Sequence, residues 1–197
     1  MREITVLLTA CAAQFAPGIV NCLKENGERN VRLIGVDMHE DKTLCALYDA
    51  LYPVPAAADP RYAETLLSIC KTERVDVLMP FMSAELLPLI DRQADFEAAG
   101  TRLSVSDRRS VEICANKLRF YEFMQASGLK VPKFRAVRTA DELLPACEAA
   151  GYPEKAVCVK ATELSGSRGI RILDPAKSRY DLLFGEKPNS MYTTMEE

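Results

Sequence analysis

A single histidine, His39, stands among the 197 residues, and that scarcity removes several chemistries at once. Histidine-based nucleophile–base pairs have almost nothing to be built from. Zinc fares no better. The seven cysteines, at 11, 22, 45, 70, 114, 147 and 158, include no Cys-x-x-Cys pair to join the lone histidine. Their odd number and apolar settings, as in Val157-Cys158-Val159, read as reduced, mostly buried thiols of a cytoplasmic protein. A basic excess is missing too: the formal net charge of −3 makes no electrostatic case for nucleic acid. No apolar run approaches the roughly 20 residues of a membrane-crossing helix. The strand-like start is too short for a signal peptide. Internal repeats and low-complexity tracts are absent.

What remains is ordinary globular composition, 48% hydrophobic and 27% charged. Residues 4–8 form a continuous apolar, β-rich run, the mark of a strand buried on both faces of a parallel sheet. A loop containing Ala12, Gln14 and Pro17 follows, then a helix over 17–26 with Gly27 past its end. A second strand over 31–37 ends on Asp37. This is a βαβ unit, but Gly-x-Gly-x-x-Gly is absent, which counts against a dinucleotide-binding Rossmann domain. Asp37 reads as a polar strand end or cap.

The rhythm continues with a short helix over 44–49 and an edge strand over 51–55, its prolines favouring the edge. An amphipathic helix spans 61–72, with Tyr62, Leu66, Leu67 and Ile69 at helical spacing. A buried strand covers 75–80, and a helix over 83–96 has Ser83 as its candidate cap. A strand over 101–105 precedes a helix over 108–114 capped by Ser106 or Asp107. Alternation of this kind predicts an α/β domain with a parallel sheet and flanking helices over residues 1–115. Ligands of such sheets sit at the carboxyl ends of the strands. Gln14, after strand one, and Ser83 and Glu85, after strand four, are therefore candidate substrate contacts.

Beyond residue 115 the pattern changes. A helix over 117–127 ends at Gly128, a strand is expected over 134–137, and Thr139 caps a helix to about 150. A strand over 156–160 then ends its apolar run on Lys160. The loop Ser165-Gly166-Ser167-Arg168-Gly169 follows, and a second strand covers 170–173. Two glycines and two serines in five residues let a backbone approach a ligand closely and leave donors free. Arg168 and Lys160 add positive charge suited to phosphate oxygens. Because the loop joins two strands, it is not the strand-to-helix phosphate loop of P-loop proteins. A last helix from 174 to about 185 and a flexible polar tail over 186–197 complete the chain.

These features together resemble the ATP-grasp superfamily, in particular its carbamoyl-phosphate-synthase-like and pyrrolysine-biosynthesis-like carboxylate–amine ligases. The resemblance covers about residues 3–180. It rests on the order of Gly35-Val36-Asp37, Tyr52-Pro53-Val54-Pro55, the strand over 75–80 with Glu85-Leu86, the helix opening on Asn116-Lys117, Gly128-Leu129-Lys130-Val131-Pro132, and Lys160 with its loop. It implies a pre-ATP-grasp Rossmann-like domain over 1–115, followed by the small α+β first lobe of an ATP-grasp domain over 116–185. Family enzymes use ATP and magnesium to join a small-molecule carboxylate to an amine through an acylphosphate. By this resemblance Lys117 and Lys160 reach ATP phosphates, and Ser165, Gly166, Ser167, Arg168 and Gly169 close over them. Asn116 stands where the family often has Asp.

The resemblance also implies a second lobe that supplies the magnesium ligands, and the chain stops at Glu197 before it. No metal ligand is assigned in the sequence itself. A truncated ligase, inactive alone, is therefore expected. The alternatives are a nucleotide- or metabolite-binding module without catalysis, or a structural interaction domain. An apolar face left open for a second lobe also makes a homodimer possible.

Overall fold

The computed structural model describes every residue except 1, 40–42, 44, 45, 165, 186–190, 194, 196 and 197. It divides into two compact units, Met1–Glu112 and Ile113–Glu197.

The first unit is built on a parallel sheet. Its strands are β1 (Ile4–Leu8), β2 (Val31–Asp37), β3 (Ala50–Pro53), β4 (Val77–Met79) and β5 (Arg102–Leu103), in spatial order β3-β2-β1-β4-β5. Central β1 pairs on both sides, Leu8 lying opposite Gly35 of β2 and Met79 of β4. Its apolar run is continuous because both faces are covered. On one face Leu7, Ile34, Val36 and Leu78 pack with Leu66 and Cys70 of α2 (Tyr62–Glu73), Leu89 of α3 (Ser83–Ile90) and Phe96 of α4 (Gln93–Ala98). On the other, Val6, Leu8 and Leu33 meet Val20 of α1 (Ala16–Lys24). Strand β3, which ends on Pro53, lies at the sheet edge, as the prolines over 51–55 predict. Asp107 caps α5 (Arg108–Ala115), accepting from the Ser110 amide at 3.0 Å.

Several local expectations fail for identifiable reasons. The single helix over 83–96 is two, α3 and α4. Pro88 lies inside α3, where it has no N–H to donate to the preceding turn, and the helix ends at Ile90. Met82, not Ser83, is the N-cap of α3, with the Glu85 side chain reaching back to its amide. Of the short helix over 44–49, residues 44 and 45 lie outside the described residues, 46 is a 3₁₀ residue, and 47–49 are non-helical with Tyr48 buried.

Gly35 explains how β2 and β3 close on the first loop. A Cβ there would stand 2.7 Å from Leu51 Cδ2 and 3.0 Å from both Cys11 Cβ and Tyr48 Cδ1. Gly35→Ala is expected to cost about 1–3 kcal/mol by overpacking, read as a lower urea midpoint. Gly18→Ala in α1 meets nothing within 4 Å and is expected to be neutral or to gain up to about 1 kcal/mol.

The second unit contains α6 (Lys117–Ala126), a 3₁₀ turn (Ala140–Glu142), α7 (Leu143–Ala150), β6 (Val157–Lys160), β7 (Ile170–Leu173), α8 (Arg179–Phe184) and β8 (Tyr192–Thr193). Strands β6 and β7 form an antiparallel hairpin, and β8 lies parallel to β7. Three corrections arise here. Residues 134–137 form no strand: among the described residues none ladders with them, and Phe134 instead stacks on Tyr121 of α6 at 5.3 Å. The Thr139 side chain makes no cap bond, and Glu142 accepts the Arg138 amide at 2.7 Å instead. Within the tail expected to be unpatterned, Tyr192–Thr193 is paired with β7.

The cysteines split evenly among the described residues. Cys11, Cys70 and Cys147 are buried, while Cys22, Cys114 and Cys158 are exposed. Burial pushes the Cys70 thiol up to about 12. Cys158 departs from the expected burial because side chains alternate along a strand. Val157 and Val159 take the core face and leave Cys158 on the other. Cys45 lies outside the described residues.

Candidate functional site

Two places gather the predicted residues, one in each unit. In the first unit it is the carboxyl end of the sheet between β1 and β4, where the strand order reverses and ligands of open α/β sheets bind. Thr9 follows β1 and is 1% exposed. Its hydroxyl donates to Glu85 Oε2 at 2.6 Å and accepts the Phe81 amide at 2.9 Å. The Met82 amide donates to the same Glu85 oxygen at 3.1 Å. Glu85, 6% exposed, is thus a buried clamp that ties the first turn of α3 to β1. The Tyr62 hydroxyl is buried and has no hydrogen-bond partner among the described residues. Its phenol is pushed up, first by burial and then by the neighbouring Glu85.

Gln14, in the loop after β1, and Ser83, the first residue of α3, stand exposed around this clamp, and Phe15 and Phe81 meet there with ring centroids 5.6 Å apart. Asp37 holds the first loop, accepting the Ala12 amide at 3.1 Å and the His39 amide at 3.3 Å. Sequence reasoning passed over Thr9. Its position, a polar residue directly after a buried strand, was the available signal.

The second place is the β6–β7 hairpin. Directly opposed residues share a face, and the register pairs Cys158 with Ile172 and Lys160 with Ile170. One face therefore carries Val157, Val159 and Leu173 into the small core with Cys147. The other carries Cys158 and Lys160, both exposed, beside half-buried Ile170 and Ile172.

The connecting loop runs through three left-handed residues, Gly166 (φ 62), Ser167 (φ 61) and Gly169 (φ 67). Gly169 is confined twice over. Besides its φ, a Cβ would stand 2.8 Å from Ala161 Cβ and 3.0 Å from Leu164 Cδ1. Its carbonyl accepts the Ala161 amide at 2.8 Å and so closes the loop base. At Gly166 a Cβ would meet nothing within 4 Å, so the backbone is open to approach. Gly166, Ser167, Arg168 and Gly169 are all exposed, and Ser165 lies outside the described residues.

Lys117 opens α6 beside this loop. Its amide donates to Thr162 O at 2.9 Å, and its ammonium donates to Leu164 O at 2.6 Å. Asn116, the N-cap, accepts from the Leu118 and Arg119 amides at 3.0 and 3.1 Å and donates to Glu163 Oε1 at 2.9 Å. The structure thus brings Lys117, Lys160 and the loop into one hairpin neighbourhood. The Asn116–Glu163 bond had no signal in the sequence, since the two residues are far apart along the chain. A groove lined by Gln125, Pro132, Lys133 and Arg135 also occurs in this unit and contains none of the predicted residues.

Among the described residues no group of three or more His, Cys, Asp or Glu is placed to hold a metal, and no helix is long and apolar enough to cross a membrane.

Comparison with known proteins places the chain. Residues 6–104 match the family model for the PylC-like, N-terminal domain. The carbamoyl phosphate synthase large chain of Pseudothermotoga lettingae is 28% identical over 119 residues, which is 60% of this chain and 10% of that protein. The solved ADP complex of purK, N5-carboxyaminoimidazole ribonucleotide synthetase, superposes with a TM-score of 0.60 at 17% identity, covering 92% of this chain and 42% of that one. The L-amino acid ligase from Bacillus licheniformis gives 0.59 at 18% identity, covering 92% and 41%. The chain therefore spans about a tenth of the curated relative's length and under half of each solved neighbour's. On the match over its parallel sheet and the fold shared across both units, the chain belongs to the PylC-like N-terminal domain family and has the fold of the N-terminal portion of ATP-grasp proteins.

Proposed function

We propose that this chain is the phosphate-gripping N-terminal part of an ATP-dependent carboxylate–amine ligase. The observation that carries the reading is Lys160. It stands exposed at the end of β6, on the hairpin face that the core leaves uncovered, beside a loop whose left-handed backbone is open at Gly166. A lysine and a run of accessible amides and hydroxyls suit the oxygens of a transferring phosphoryl group. The ADP in the solved purK complex supports the choice of nucleotide.

In this reading Lys160 and Arg168 offset charge on the phosphates, and Gly166, Ser167 and Gly169 donate from the loop. Lys117 keeps the loop base in place and reaches phosphate when its ammonium exchanges Leu164 O for a phosphate oxygen. Ser165 belongs to the same loop by its position. ATP is the group supplied to the site, and its γ-phosphoryl group is what activates the carboxylate. Attack by a carboxylate oxygen breaks the bond to ADP and forms an acylphosphate. An amine then displaces phosphate and gives up a proton. Excluding water from the acylphosphate is the loop's second task. Gln14 and Ser83 line the mouth for the small-molecule substrates, and Glu85 holds that mouth in shape. Magnesium is assigned no ligand on this chain.

The test is calorimetric titration of the 197-residue chain with ATP and with NADH, followed by an assay for ADP release with magnesium and a carboxylate. ATP binding without NADH binding and without ADP release is the expected outcome. NADH binding in preference to ATP would overturn the nucleotide assignment. ADP release would overturn the reading that the chain alone does not complete the reaction.

A further inference from the structure

We propose that Glu163 is a positioning residue that latches the base of the phosphate loop to the first turn of α6 through Asn116. Four bonds join the two segments: Asn116 Nδ2 to Glu163 Oε1 at 2.9 Å, the Lys117 amide to Thr162 O at 2.9 Å, and the Lys117 ammonium to Leu164 O at 2.6 Å and, more weakly, to Thr162 O at 3.5 Å. Asn116 serves two segments with the two ends of one amide. Its oxygen caps α6, and its nitrogen takes Glu163. Aspartate would cap as well as asparagine, but it has no hydrogen to give and would set a second acid against Glu163. The side chain at 116 and the one at 163 are therefore a matched pair.

The Lys117 amide reports the latch cleanly. As the first helical residue it has no carbonyl within its own helix to bond, so Thr162 O is what protects it. In the Asn116→Asp variant the helix cap persists and the latch is lost. Amide exchange at Lys117, followed by NMR, is expected to accelerate about five- to tenfold, with Phe120 unchanged. Glu163→Ala removes the acceptor from an exposed side chain, leaves folding untouched and is expected to give the same acceleration. The double variant Asn116→Asp/Glu163→Gln swaps the two roles, so that the introduced amide donates to the introduced carboxylate. Exchange is then expected to return to within about twofold of the unsubstituted chain.

The consequence for phosphate binding rests on the ATP reading above. ATP affinity is expected to fall about three- to tenfold in the two single variants and to recover in the double variant. Unaltered Lys117 exchange in both single variants, or a double variant no better than Asn116→Asp, would overturn the latch. Equal ATP affinity in all four proteins, with exchange responding as expected, would overturn the positioning role. An unsubstituted chain that binds no ATP would contradict the proposed function instead, and the exchange data would still decide the latch.

Discussion

Lys160→Met is expected to weaken ATP binding by this chain about 10- to 100-fold, the worth of one charge-assisted bond to phosphate. Methionine keeps the unbranched stem on the hairpin face and removes the ammonium, so the fold is retained while the charge is lost. The side chain is exposed, and its strand neighbours Val157 and Val159 supply the core. Lys155→Met, on the exposed turn before β6, is the control and is expected to leave ATP affinity within about twofold. Titration calorimetry separates the two. Equal affinities for the Lys160 and Lys155 variants would show that positive charge in general, and not this position, attracts the nucleotide.

The second large effect is one of stability. Thr9→Val conserves shape and deletes a hydroxyl that works in both directions, donating to Glu85 at 2.6 Å and accepting from the Phe81 amide at 2.9 Å. Thr9 is 1% exposed, so water cannot replace either bond. The buried Glu85 carboxyl and the part-buried Phe81 amide lose a partner together, and the expected cost is about 2–4 kcal/mol. For a unit of this size that lowers the melting temperature by about 10–20 °C. Thr9→Ser keeps the hydroxyl and gives up one methyl group, at an expected cost of about 1 kcal/mol. Thermal denaturation of both variants checks this. Equal destabilisation would mean that the hydroxyl network is worth no more than one buried methyl group.

Much of the architecture was written in local patterns. The apolar runs of β1 and β2 announced strands covered on both faces, and the helical spacing of Tyr62, Leu66, Leu67 and Ile69 announced the buried stripe of α2. The strand–loop–strand around Lys160 is the β6–β7 hairpin. What escaped depended on partners distant in sequence. The residues 134–137 have strand propensity, but a strand needs a neighbour, and Phe134 found Tyr121 instead. The break between α3 and α4 was legible in Pro88 and was outweighed by a long apolar periodicity. Cys158 looked buried from its flanking valines, although strand alternation places the middle residue of such a trio on the opposite face.

The candidate site divides in the same way. Lys160 and the glycine-rich loop could be picked out because their chemistry is local. The geometry around Lys117 could not, because its partners Thr162 and Leu164, 45 and 47 residues further along, and the Glu163 that Asn116 holds are distant in sequence. Glu85 drew attention as a strand-end acid, and the structure shows that Thr9 and the Met82 amide engage its carboxyl.

Mapping backbone amide shifts while ATP is added to the chain tests the central claim most directly. Lys160, Gly166, Ser167 and Gly169 are expected to shift together with one saturating affinity, and Lys160→Met is expected to abolish the response. Shifts confined to the first unit, around Gln14, Ser83 and Asp37, with the hairpin loop silent, would contradict that claim.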